Sequence, residues 1–112
     1  MKRVAFTSLV VLALASFTTP VAGADMTGKE VFDHYCADCH GAADGAGTVQ
    51  LGRTRGKDKA LLTQRTDLAP EYIAYIVRHG LRSMPPFAPS DLTDARLKAL
   101  VEFLTKRQMA GK

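Results

Sequence analysis

Apolar and polar positions alternate along this chain with a helical period in three stretches, separated by segments rich in glycine and proline. Thr27-Gly28-Lys29-Glu30 places a hydroxyl residue three before a glutamate, the arrangement that caps and opens a helix. In the segment from Gly28 to Tyr35, which runs straight on into Cys36, the positions Gly28, Phe32 and Cys36 fall on one stripe. Phe32 is therefore expected in the core, and Gly28 leaves room for a second helix to approach. From Gly41 to Gly56 the chain is dominated by glycine and small residues, with Gly41, Gly45, Gly47, Gly52 and Gly56, which predicts an irregular loop. Residues 57–66 are polar and weakly helical, without an assignable element.

Helical signals return at Asp67-Leu68-Ala69-Pro70. Pro70 suits a first helical position, Tyr72, Ile73, Ile76 and Val77 form a stripe, and Gly80 suits the left-handed residue that ends a helix. A last helix opens near Thr93, whose hydroxyl can cap it, and carries Leu97, Leu100, Val101 and Leu104 on one face with Phe103 beside them. Burying each of these apolar side chains contributes roughly 1.5–3 kcal/mol. Lys106 and Arg107 in its last turn complement the negative end of the helix dipole. Runs of β-branched residues with a strand period are missing, so the class is all-α.

The first residues read as an address rather than as part of the fold. Met1-Lys2-Arg3 is basic, Val4 to Phe17 is apolar but too short and interrupted for a membrane span, and Ala22-Gly23-Ala24 suits a leader cleavage site. Residues 1–24 are thus expected to be a secretory signal peptide, and residues 25–112 one small domain in an oxidising compartment, the periplasm in a bacterium. The leader's only charged residues are Lys2 and Arg3. Of 15 basic side chains all but those two remain, against 11 acidic ones, and this near balance gives no support to nucleic-acid binding. A domain this small has a thin core and needs an additional staple.

Both cysteines of the chain lie in Cys36-Ala37-Asp38-Cys39-His40. The spacing C-x-x-C-H is the attachment signal for c-type haem: the two thiols can each form a thioether with a porphyrin vinyl group, and His40 reaches the iron. A redox dithiol would need a βαβ context that the chain lacks, a zinc site would have to recruit His34 or His79, and a disulfide of this spacing closes too short a loop to remove much chain entropy. One haem c, covalently attached, would also fill the core.

The sixth ligand is sought elsewhere. Ser83-Met84-Pro85-Pro86-Phe87 cannot be helical, and its prolines stiffen the backbone around Met84, the best candidate for the second axial ligand; the alternatives are that Met84 is core filler or that His79 takes the iron. His34, two residues before Cys36, reads as a surface histidine. Arg53, in the run Arg53, Arg55, Lys57 and Lys59, is a candidate partner for a haem propionate, a run of that kind being otherwise a solvated loop.

Together the leader, Cys36-x-x-Cys39-His40, the proline-flanked Met84 and the final Leu100-Val101-Glu102-Phe103-Leu104 helix resemble a class I c-type cytochrome. Within that class Gly52-Arg53, Pro70-Glu71-Tyr72-Ile73 and the run from Ile76 to Phe87 are similar to the cytochrome subunit of p-cresol methylhydroxylase-type flavocytochromes. The resemblance implies a small fold of three to four helices wrapped around one haem, with the first and last helices crossing near Gly28 and Phe32. It also implies an electron carrier rather than an enzyme, with an FAD-containing dehydrogenase subunit as redox partner. A freely diffusing monohaem carrier is the alternative, and a haem peroxidase or gas sensor with a dissociable Met84 a remote one. The chain departs from the family in having Gly47-Thr48 where Gly-Pro is usual; Thr48 still offers a carbonyl to accept the Nδ1 proton of His40.

Overall fold

The computed structural model describes residues 26–110, with side chains to Lys106. The leader assigned to residues 1–24, the domain start at Asp25, and the side chains of Arg107 and Met109 lie outside the described residues. Among the described residues five α-helices follow one another: α1 (Gly28–Tyr35), α2 (Ala37–His40), α3 (Ala46–Arg55), α4 (Pro70–His79) and α5 (Asp94–Ala110). Two short 3₁₀ turns, Lys57–Lys59 and Leu62–Gln64, occupy the polar stretch before α4, and no strand occurs among the described residues.

Helix α1 begins as its sequence dictates. The Thr27 hydroxyl accepts from the Glu30 amide at 3.3 Å and the Glu30 carboxylate accepts from the Thr27 amide at 2.7 Å, so two otherwise orphaned donors are satisfied reciprocally. α4 has Pro70 in its first turn, and α5 is capped by the Thr93 hydroxyl, which accepts from the Arg96 amide at 3.3 Å. Leu92 before that cap and Leu97 four residues after it are both buried, the positions of a hydrophobic staple. Gly80 ends α4 at φ 74°, although ψ 173° places it outside the left-handed helical region expected for it.

The core joins Val31 and Phe32 of α1, Ile73 and Val77 of α4, Leu97, Leu100 and Leu104 of α5, and Leu68 and Leu92 from the connections. Val101 and Phe103 pack against it half-buried, whereas Tyr72 of the predicted α4 stripe faces outward. The α1–α5 crossing is the most extensive helix contact. A Cβ built on Gly28 would collide with the Ala99 carbonyl oxygen and the Phe103 Cβ, and the Phe32 and Phe103 rings meet with centroids 5.8 Å apart.

The irregular loop expected from Gly41 to Gly56 is corrected: residues 46–55 form α3. Gly41, Gly45 and Gly56 lie outside that helix, and only Gly47 and Gly52 lie within it. Each glycine costs a helix interior about 1 kcal/mol relative to alanine. Packing of α3 against α2 outweighs that local preference.

Two tests follow from these contacts. Gly28→Ala should destabilise the protein by about 1–3 kcal/mol or more, read as a drop in thermal midpoint, because helix backbones and not flexible tips must move apart. The second concerns acid. Hydrogen bonds from Arg65 and Lys59 hold the Asp67 carboxyl well below the usual carboxylate range. A depressed folded pKa adds stability above the unfolded value of about 4 and loses it as pH falls further. Asp67→Asn should therefore flatten the acid limb of the stability profile slightly and leave neutral-pH stability nearly unchanged, the Asp67 carboxylate being exposed and screened by salt.

Candidate functional site

The chain leaves α1 through Cys36, whose amide still donates to the Phe32 carbonyl at 2.9 Å while its φ of −121° breaks the helix. One tight turn then follows. The Cys36 carbonyl accepts from the amides of Cys39 at 3.2 Å and His40 at 2.8 Å, so both thiols and the imidazole are fixed on a single turn rooted in α1. Both cysteines are free; Cys36 is half-buried and Cys39 exposed. Burial pushes the Cys36 thiol up to about 11 and lowers the pKa of His40, keeping the imidazole in the neutral form that can donate a lone pair to a metal.

His40 is held by shape rather than by a hydrogen bond. A Cβ on Gly47 would come within 2.7 Å of both ring nitrogens, so the imidazole lies directly against the backbone of α3. Its Nδ1 is buried with no hydrogen-bond partner. The Thr48 carbonyl expected to accept that proton does not do so; Thr48 is 3% exposed and directs its hydroxyl to the Cys39 carbonyl at 3.5 Å, bracing the same turn from another side.

Met84 is positioned with equal economy. Leu81 and Met84 exchange backbone hydrogen bonds at 3.1 and 3.0 Å, a turn that includes Arg82 at φ 56°. A Cβ on Gly80 would lie 2.6 Å from the Met84 carbonyl oxygen and 3.0 Å from the Pro86 nitrogen, so the glycine lets the loop fold back on the end of α4. Both backbone groups of Met84 are thus committed, and its half-buried side chain packs on the core cluster that Cys36 and Ala37 also touch. Cys36 and Met84, far apart in sequence, thus pack against the same apolar cluster.

The other candidates separate. His79 is exposed, stacked on Tyr75 with ring centroids 4.1 Å apart, and its Nδ1 donates to the Tyr75 carbonyl at 2.8 Å. His34 is an exposed surface residue with its ring edge-on to Tyr35. Among the described residues no three His, Cys, Asp or Glu side chains converge as a metal ion alone would require, which leaves the zinc reading without ligands. Arg53 and Lys57 line an open hollow of about 430 Å³ together with Thr48, Val49, Ala60 and Leu61. No described helix is long and apolar enough to cross a membrane.

A half-buried neutral imidazole and two free thiols on one turn, with a methionine packed on the apolar cluster that Cys36 also touches, fit a covalently held porphyrin. Residues 23–104 match the family model described as cytochrome C oxidase, cbb3-type, subunit III. The chain belongs to this family of c-type cytochromes. Its cofactor is accordingly haem c and its class that of electron carriers rather than enzymes. The cytochrome is 34% identical over 79 residues to the 4-cresol dehydrogenase [hydroxylating] cytochrome c subunit of Pseudomonas putida, an alignment covering 70% of this chain and 58% of that protein. It therefore spans somewhat more than half the length of that relative. No solved structure matches it.

Three contributors escaped the sequence reading: Gly47 as the seat of the imidazole, the contact of Gly80 with the Met84 carbonyl, and Arg78, whose guanidinium reaches the carbonyls beyond the methionine. The glycines were visible in sequence as helix breakers, but no periodicity announces what a glycine faces. Gly47→Ala should displace the His40 ring and turn the ferric holoprotein toward a high-spin visible spectrum with haem still attached. Gly52→Ala, whose Cβ would meet only Ala60 at an ordinary 3.5 Å, should leave the spectrum unchanged.

Proposed function

We propose that this cytochrome is a periplasmic one-electron carrier, exported by its leader, that takes electrons from the flavin of a dehydrogenase or hydroxylase subunit and passes them to a downstream acceptor. Cys36 and Cys39 hold the haem through thioethers, and His40 and Met84 are its axial ligands. The observation that carries the reading is that Cys36 and Ala37, at the start of the Cys36–His40 turn, and Met84 pack against a common apolar cluster. Haem c bound there supplies a one-electron iron couple.

The chain's own residues set the conditions for that couple. His40 and Met84 together leave no axial position for oxygen or peroxide, and the thioether of Met84 favours the reduced ion and raises the potential. Pro85 and Pro86 are exposed, and Ala37, Met84 and Phe87 are half-buried against one cluster; together they would form an apolar rim suited to pressing against a partner while excluding water. Arg53, which lines an open hollow beside Thr48, is the candidate partner of a haem propionate. The likeness to the 4-cresol dehydrogenase cytochrome subunit supports a flavoprotein donor of the p-cresol methylhydroxylase type.

Copurification tests the partner. The untagged chain from native extract should travel with an FAD protein in gel filtration; a monomer alone would mean a freely diffusing carrier with a small transient interface. Ligation is tested separately by Met84→Ala. The variant should lose the weak far-red band of a thioether-ligated ferric haem, show a lower midpoint potential and bind carbon monoxide when reduced. A band that persists in the variant would exclude Met84 as ligand.

A further inference from the structure

Beyond Met84 the chain runs from Pro85 to Thr93 without regular structure before α5 begins, and one side chain gathers that segment. Arg78, in the last turn of α4, donates from Nη1 to the Phe87 carbonyl at 3.0 Å and to the Leu92 carbonyl at 2.8 Å. Its Nη2 donates to Asp94 Oδ1 at 2.6 Å. The amide of Phe87 meanwhile donates to the Val77 carbonyl at 2.8 Å, so Phe87 is gripped through both of its backbone groups by consecutive residues of α4. A second brace comes from α1, where the Tyr35 hydroxyl donates to the Asp91 carbonyl at 3.0 Å while its ring stands edge-on to Phe87.

We propose that Arg78 is a positioning residue for the axial methionine, a latch that closes the segment after Met84 and so sets how firmly the thioether stays on the iron. The inference rests on Met84 being the ligand. The geometry ranks the latch's contacts. The Arg78 side chain is 18% exposed and that of Asp94 88%, so the ion pair stands in water and is screened, whereas the two carbonyl contacts are shielded and charge-assisted. Both carbonyls belong to the segment that must move if Met84 is to leave. Releasing them makes departure of the thioether easier without touching haem attachment or His40.

The test uses ferric and ferrous holoprotein of Arg78→Gln. With helix content retained, its far-red band should disappear at denaturant concentrations well below global unfolding, and the population open to carbon monoxide when reduced should rise by about tenfold or more, as expected from losing shielded charge-assisted hydrogen bonds. Folded Arg78→Gln whose band follows global unfolding as in the wild type overturns the proposal. Should the glutamine variant fail to fold, Arg78→Lys is read in the same way: a single ammonium cannot reproduce the planar fork, and full retention of the band there also overturns it. Asp94→Asn should keep the band nearly intact; loss as large as in Arg78→Gln would overturn the assignment to the carbonyls. Met84→Ala separates the two readings: a band lost there but unmoved in the Arg78 variants refutes the latch and leaves ligation standing, and a band that survives in Met84→Ala refutes the ligand itself.

Discussion

The crossing of α1 and α5 at Gly28 is the contact on which the rest of this cytochrome depends. α1 runs directly into the turn that bears the cysteines and His40, and α5 begins where the methionine segment ends. With Gly28 set against Ala99 and Phe103, the opposite end of α1 lies beside the start of α5, where Tyr35 reaches the Asp91 carbonyl and receives a hydrogen bond from Arg96 at 3.1 Å. One close helix contact thus fixes the separation of two segments distant in sequence, as the proposed ligation by His40 and Met84 would require.

Around that frame the site is built from backbone more than from side chains. Gly47 seats the imidazole and Gly80 admits the Met84 loop, each by offering no Cβ where a neighbour needs the space. Arg78 works on backbone too, binding the Phe87 and Leu92 carbonyls beside its exposed ion pair with Asp94. A small domain with few large core side chains gains rigidity from these close approaches, and a covalent porphyrin adds the apolar mass that the chain itself lacks.

Much of this was legible in the sequence because it rests on short-range rules. The Thr27–Glu30 box, Pro70 at the opening of α4, the Thr93 cap and the stripes through Phe32, Ile73, Val77, Leu97, Leu100 and Leu104 are set by neighbours within a turn or two, and the structure bears them out. The glycine count misled at α3, where contact with the Cys36–His40 turn prevails over local propensity. Thr48 misled differently: its position in the sequence is right for supporting His40, yet its hydroxyl braces the Cys39 carbonyl and Nδ1 is left without a partner. Leu68 and Leu92 were passed over because each is a single buried residue in a connection, with no period to reveal it. Arg78 escaped for a related reason, since an arginine on a helix end ordinarily reads as solvated.

The central claim is a porphyrin joined to both cysteines of the chain. Mass spectrometry of the purified, denatured holoprotein measures this directly. The predicted result is the mass of the chain from Asp25 onward plus one haem, which acidified organic solvent does not extract. A mass equal to the bare polypeptide, or haem that extracts freely, would contradict it.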